Sequence, residues 1–565
     1  MIIRGFIGGK VKRAFLIIMA VAITFSAANN CFADEVEKNA RNEVNKALKG
    51  KLIDISDLTK YYERINKGKG ADVIKELQLL ASQEGSVSDK NPVGWRFDGS
   101  GKSTNVTPPL SWGISLGGSK KNISWVMEMP GYSPSSVIVV GDKLFSGSNH
   151  YSLVCQDKKS GKILWVGSVS PYDAAEKAER DQKKDVFSKL DELAKKRDGL
   201  NSKIPGASPN EIFSTGSEVV KVEQEMEKLL YPSDMEKYKG TGMTGSDGGY
   251  MSTTPASDGT FVYAWNAWGV TACFDMKGER KWIRFDKLRP QEHGHYGAPL
   301  LIGDKVIIHI GRQYRALDKK TGKELWTSES HSADWTGYWY GSHLKTRIGS
   351  DDVMIAGDGS LIRPSDGKRF FKAKGMQSTS PVFGNGYVSW VDGPGQSAPR
   401  FYKLPSSVGS SDSPKIKSCS FKRAKEIKPS GGFFSAASLI VNGLLYTMGG
   451  DPVLYVYDLA ADKLVYQKEL DFGETPTRQD RPYGCGISSS PSLAGGKIYI
   501  WGNFGTTIII EPGPVYKEIG KNTIDTRFSY NWKNGALEGT VSNPWFEGKR
   551  IYYRAQKYMY CIEEK

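Results

Sequence analysis

Histidine is scarce in this chain, six in 565 residues, and five of the six fall between His293 and His343. His293, His295, His331 and His343, with Asp334, Trp335 and Tyr338 among them, are the side chains whose types could do chemistry. Imidazole and carboxylate groups ligate metals, and indole and phenol rings stack on sugars. Chance clustering with ordinary loop hydrogen bonds explains the same residues, and His309, inside an apolar run, reads as packed. Other constellations fail on spacing. Gly101-Lys102-Ser103 imitates the end of a phosphate-binding loop, but Arg96 stands where the leading glycine is required. Gly113 to Gly117 surrounds Ser115 like a nucleophile elbow, yet that motif needs a helix directly after it, and Gly118-Ser119-Lys120-Lys121 leads into a strand. There is no H-E-x-x-H pair. No catalytic residue and no metal ligand set is assigned, and no cofactor is expected from motifs.

The ends and the cysteines bear on compartment. Arg4, Lys10, Lys12 and Arg13 precede an apolar run from Ala14 to Ala28, and Cys31-Phe32-Ala33 has the small-x-small form of a cleavage site. The run falls short of the roughly 20 residues a spanning helix needs. Residues 1–33 therefore read as a signal peptide cleaved near Ala33, which places the mature chain in the periplasm or outside the cell. Cys155, Cys273, Cys419, Cys485 and Cys561 remain, an odd number without C-x-x-C spacing. Cys419 and Cys485 both lie in loops, where a bridge between them is one reading and free thiols the other. The formal charge of +15 is spread along the sequence. It suits a solvated surface and would favour an acidic protein partner, an anionic glycan or another cell-envelope component. No nucleic-acid-binding module is present, and a monomer is expected.

The elements that must position these residues come from a repeat. Gly is high, 63 residues, aromatics reach 11%, and long apolar runs are confined to the N-terminus. That composition excludes a helical bundle and a polytopic membrane protein, and favours short strands with tight turns. Asp157 to Trp165 (DKKSGKILW) matches Asp318 to Trp326 (DKKTGKELW); Asp275 to Trp282, Asp458 to Tyr466 and Asp366 to Phe371 are variants. A small residue and Pro open a strand ahead of each copy, at Thr254-Pro255, Ala298-Pro299, Ser380-Pro381, Ser490-Pro491 and Asn543-Pro544; Ser136-Val137 and Ala437-Ser438 hold the place without Pro. Proline is tolerated where a strand begins. Each unit reads as four antiparallel strands. Units beginning near 134, 250, 294, 342, 376, 433, 486 and 540 predict an all-β, eight-bladed β-propeller over residues 122–565. Seven blades is the alternative, since the units at 342 and 376 are poorly formed. The last unit stops after three strands, so Asn122–Met129 is expected to supply its fourth. Loops leading into innermost strands gather at one channel mouth, which would bring the histidine cluster there.

Cys155, Cys273 and Cys561 occupy the place of Ala316 and Val456, a small apolar position between sheets. Residues 174–230 interrupt the ring. Phe187, Leu190, Leu193 and Leu200 form one helical stripe and Val219, Val222, Met226 and Leu229 another, predicting an inserted helical hairpin that packs over the ring or docks a partner. Residues 34–90 read as a helical, charged N-terminal region.

The strings "ALDKKTGKELW" and "CQDKKSGKILW" resemble the tryptophan-docking repeat of the pyrroloquinoline-quinone (PQQ)-type propellers. The resemblance implies that Trp165, Trp282 and Trp326 pack onto the neighbouring blade. "WRFDGSGKSTNVTPPLSW" and "FEGKRIYYRAQKYMYCIEE" look like the exported, planctomycete-type branch of that family. Two functions follow from the resemblance. One is the quinoprotein dehydrogenase, with PQQ and calcium in the channel; its characteristic adjacent cysteines are missing, and its calcium ligands match no positions here. The other is the non-catalytic BamB-like scaffold, whose repeats match equally well and which binds protein partners without a cofactor. The scaffold is the reading adopted. A carbohydrate-binding or carbohydrate-modifying propeller is the third.

Overall fold

A computed structural model of the chain describes residues 35–49, 58–67, 69–74, 92–115, 118–230, 238, 250–288, 297–330, 341–373, 379–391, 398–408, 414–420, 436–448, 452–473, 489–525 and 542–564. Two units divide it, Met1–Ser86 and Val87–Lys565. The first contains helices α1 (Glu35–Lys49) and α2 (Leu58–Asn66), whose apolar faces meet through Ala40, Val44, Leu58, Tyr61 and Ile65.

The second unit contains eight sheets, each with a core of four antiparallel strands; blade 1 runs from Ile138–Val140 to Ile163–Ser168, blade 2 from Ala256–Ser257 to Arg280–Phe285, blade 3 from Leu300–Ile302 to Glu324–Thr327, blade 6 from Leu439–Val441 to Lys463–Glu469 and blade 7 from Ser492–Ala494 to Glu518–Ile524. The weak units are complete: Leu344–Ile348 to Arg369–Phe371 is blade 4, and Val382–Gly384 to Lys417–Ser418 is blade 5. The count is eight, as the repeat predicts, and not seven. Blade 8 is made of Trp545–Glu547, Arg550–Arg554, Tyr558–Glu563 and, as its outer strand, Ile123–Glu128. Tyr560 pairs Val126 and Cys561 pairs Trp125, so the ring closes with a strand from the front of the chain.

The closing aromatics have a common geometry. The pairing of the third and outer strands shifts by one residue after Cys155, Cys273, Ala316, Val456 and Cys561. The residue before each bulge lies directly opposite the aromatic: Cys155 opposite Trp165, Cys273 opposite Trp282, Ala316 opposite Trp326, Cys561 opposite Trp125. Directly opposed side chains share a face, so a small one there makes room for the indole. All three of these cysteines are buried free thiols. Each indole then lies on a turn glycine of the next blade. Trp165 Nε1 donates to the Met276 carbonyl (3.3 Å), Trp282 to Lys319 (2.8 Å) and Trp326 to Pro364 (2.9 Å). The blade-docking role implied for Trp165, Trp282 and Trp326 is their role in the fold. Trp125, which the repeat did not single out, does the same at the seam: a Cβ on Gly161 of blade 1 would sit 2.6 Å from its ring.

The small residue that opens each inner strand links the blades near the axis. Its side-chain oxygen accepts the backbone N–H of its counterpart in the preceding blade: Ala298 N to Ser342 Oγ (3.0 Å), Ser342 N to Ser380 Oγ (2.8 Å), Ala437 N to Ser490 Oγ (3.0 Å), Ser490 N to Asn543 Oδ1 (2.9 Å) and Asn543 N to Ser136 Oγ (2.9 Å). Where that residue is Ala298 or Ala437, there is no oxygen to accept.

Residues 174–230 form the expected hairpin: α3 (Lys177–Gln182), α4 (Lys184–Asn201) and α5 (Pro209–Leu230). Phe187, Leu190, Val219, Val222 and Met226 are buried, in one cluster with blade 1. Cys419 is a buried thiol, its pKa pushed up to about 12 by burial, and the bridge to Cys485 lies outside the described residues. The propeller unit begins before residue 122, because strands Lys102–Ser103, Gly113–Ile114 and Lys120–Lys121 extend the sheet of blade 7 to seven strands.

Candidate functional site

The axis of a propeller is lined by its innermost strands, and here the chain fills that axis itself. Val93 exchanges two 2.8 Å backbone hydrogen bonds with Ser257 at the inner strand of blade 2. A Cβ on Gly94 would lie 3.6 Å from the Pro299 carbonyl of blade 3. Trp95 packs against the apolar cluster of blades 5 and 6 that holds Val382 and Ile440. Arg96 donates to the carbonyls of Ser438 (3.2 Å) in blade 6 and Pro491 in blade 7. Phe97 meets Trp545 of blade 8 at 5.2 Å between ring centroids, and Gly99 abuts Leu344 of blade 4. Lys102–Ser103 then runs parallel to the inner strand Ser492–Ala494. This plug touches every blade from the second to the eighth.

From the axis the chain leaves past the turns of blades 7 and 8, where Thr107 N donates to Gly548 O (2.8 Å). Trp112, its backbone N–H donating to Asn522 Oδ1 (2.9 Å), wedges against Tyr499 and Trp501. Gly113–Ile114 adds to the outer edge of blade 7, and Ile123 begins the closing strand.

The tip of the plug is tightly wound. Arg96 and Phe97 have φ of 51° and 68°, in the left-handed region that non-glycine residues rarely adopt. Gly94 N donates to Phe97 O (2.8 Å), closing the loop. Gly101 lies against the guanidinium, where any side chain would overlap it. Arg96 is only 5% exposed, and burial lowers its pKa to about 9 against the opposing field of Asp98.

Among the described residues, nothing on this axis is built to hold a quinone or a calcium ion. Calcium takes six to eight oxygen ligands, several of them carboxylates. Among the described residues no three His, Cys, Asp or Glu side chains come together as a metal site, and Arg96 brings a guanidinium to the axis. Beside that guanidinium lies a cavity of about 10 Å³, far smaller than a fused ring system.

Of the candidate ligand-binding residues, His293, His295, His331, Asp334, Trp335 and Tyr338 lie outside the described residues. His343 is buried between blades 3 and 4. Its Nε2 lies 3.0 Å from the Ile307 carbonyl, its ring meets Tyr314 edge-on, and desolvation lowers its pKa to about 4. His309, mid-strand as expected, is buried beside Tyr314 at 5.0 Å between ring centroids. These two imidazoles face protein.

The hairpin seam holds a polar cluster that the sequence reading missed. Asp173 pairs with Arg197 of α4 (3.1 Å), both buried. His150 Nε2 lies 2.8 Å from Glu227 Oε2 of α5, Tyr250 donates to Glu227 Oε1 (2.9 Å), and Tyr151 N donates to Glu223 Oε2 (3.2 Å). Glu223 is fully buried with its second oxygen unpartnered, and burial raises its pKa to about 7 although Arg197 and His150 oppose the shift. No periodicity flags such residues, because polar groups inside an amphipathic stripe look like its solvent side.

No family model and no curated protein matches the chain. Among solved structures, BamB from Moraxella catarrhalis is similar at 10% identity and a TM-score of 0.45, covering 78% of this chain and 99% of that one. A quinohemoprotein alcohol dehydrogenase from Comamonas testosteroni is similar at 11% and 0.47, covering 85% and 82%. The computationally designed Ika8 protein gives 9% and 0.41, covering 77% and 98%. These likenesses concern the fold alone, which the eight sheets establish independently.

Proposed function

We propose that this chain is an exported, non-enzymatic propeller that presents its outer surface and helical hairpin to a protein partner of the cell envelope, as the resemblance to BamB-type repeats implies. The observation that carries this reading is the plug. Residues 93–103 occupy the channel in which the dehydrogenase branch would hold its quinone and calcium, and they bring a cation to the axis. Export is supported by the basic-apolar-small order of residues 1–33. The deciding experiment is a dye-linked assay on the purified mature chain, with PQQ and Ca²⁺ added and alcohols or sugars as donors. No bound chromophore and no dye reduction are expected. Reduction that depends on both additions would overturn the scaffold reading in favour of the dehydrogenase.

A further inference from the structure

We propose that the cavity beside Arg96 is a binding site for a monovalent anion the size of chloride, held on the propeller axis. Arg96 is a cation removed from water; every hydrogen-bond partner it has is neutral, and the field of Asp98 offsets only part of the cost of its burial. Its Nη atoms donate to the carbonyls of Ser438 and Pro491, and its Nε, also buried, has no acceptor. No carboxylate closes on it. Asp98, the acid nearest in sequence, accepts the backbone N–H of Ser100 instead (2.9 Å). A buried charge is normally paired, since neutral dipoles replace only part of its hydration.

The cavity is lined by Arg96, Phe97, Ser103, Ser492, Trp545 and Phe546. At about 10 Å³ it holds one water-sized body. The space beside the guanidinium suits a small ion, and the charge there excludes metal cations. The hydroxyl of Ser103 is a donor available to an anion, Ser492 already donating to the Ser490 carbonyl (3.3 Å), and aromatic rings form much of the remaining wall. A water there would satisfy Nε and leave the charge uncompensated; a halide does both.

The test uses the full mature chain in chloride, bromide or gluconate, each at about 150 mM sodium salt. The expected result is a thermal midpoint about 2 °C higher in chloride and bromide than in gluconate. A general salt effect has the opposite sign, because the strongly excluded gluconate stabilises folded proteins non-specifically. Arg96→Met should abolish the halide increment. Should that variant fail to fold, bromide-soaked crystals of the unaltered chain decide by anomalous scattering. A bromide peak within hydrogen-bonding distance of Arg96 Nε is expected. Equal midpoints in all three salts, or a water in the cavity with no anomalous signal, would overturn the site.

Discussion

Trp282 carries two separable contributions to the joint between blades 2 and 3. Its ring covers Gly322, where a Cβ would sit 2.6 Å away, and its Nε1 reaches the Lys319 carbonyl at 2.8 Å. Truncating a packed indole to alanine costs about 3–5 kcal/mol, and losing one hydrogen bond about 1 kcal/mol. Because Trp282 is half-buried, Trp282→Ala should cost about 3 kcal/mol and Trp282→Phe about 1 kcal/mol in urea unfolding. Equal, small losses from both would mean that the indole does not clamp the blades. Gly322 serves the same joint from the other side. Its φ of +67° and the ring above it make Gly322→Ala strained and overpacked at once. The inner links are of the hydrogen-bond kind only: Asn543→Ala leaves Ser490 N without its acceptor, so about 1 kcal/mol is expected.

The hairpin is an element whose docking depends on close approach and on buried charge. α5 crosses blade 8 at Gly216, where a Cβ would fall on the Pro130 carbonyl, and Phe213 beside it packs on Tyr132 at 4.9 Å. Gly216→Leu should lift the hairpin while leaving the sheets in place. Trypsin would then cut first between 184 and 230, at unchanged sheet content by circular dichroism; a cleavage pattern like that of the native chain would sink the idea. Glu223 makes the same seam sensitive to pH. Its folded pKa of about 7 lies above its ordinary 4.5, so between these values the folded state binds more proton than the unfolded state. Stability from this group is therefore full below about 4.5 and is lost as pH rises to about 7. Glu223→Gln cannot titrate, so the fall in thermal midpoint from pH 5 to pH 8 should be smaller in the variant. Parallel profiles would show that Glu223 does not govern the seam. The apolar half of this element was readable from Phe187, Leu190, Val222 and Met226 at helical spacing. The half formed by Arg197, Asp173 and Glu223 was not, because ion pairing across elements leaves no period in either one.

At the scale of the whole molecule the same contrast separates ring from plug. Blades are legible because their turns are local: Asp157 Oδ1 accepts the Ser160 N–H (2.7 Å) and Asp318 Oδ1 that of Thr321 (2.8 Å), so each Asp-to-Trp stretch folds by its own chemistry and recurs. The plug recurs nowhere. Its partners Ser257, Ser438, Pro491 and Trp545 lie 164 to 448 residues further along the chain, and only the ring brings them to one axis. Closure and plugging can be pulled apart by two variants. Replacing Ile123–Glu128 with a Gly/Ser stretch of equal length keeps the plug but leaves Tyr558–Glu563 as an unpaired edge and removes Trp125 from Gly161. A chain starting at Asn105 keeps that outer strand and loses the plug. An open edge recruits further strands, whereas an emptied axis only forfeits buried contacts. The first variant should therefore self-associate in light scattering, and a synthetic peptide covering 120–130 should return it to a monomer by adding the missing strand. The second should stay monomeric with a lowered thermal midpoint. A monomeric first variant, no less stable than the second, would mean that the ring does not depend on the strand lent from the front of the chain.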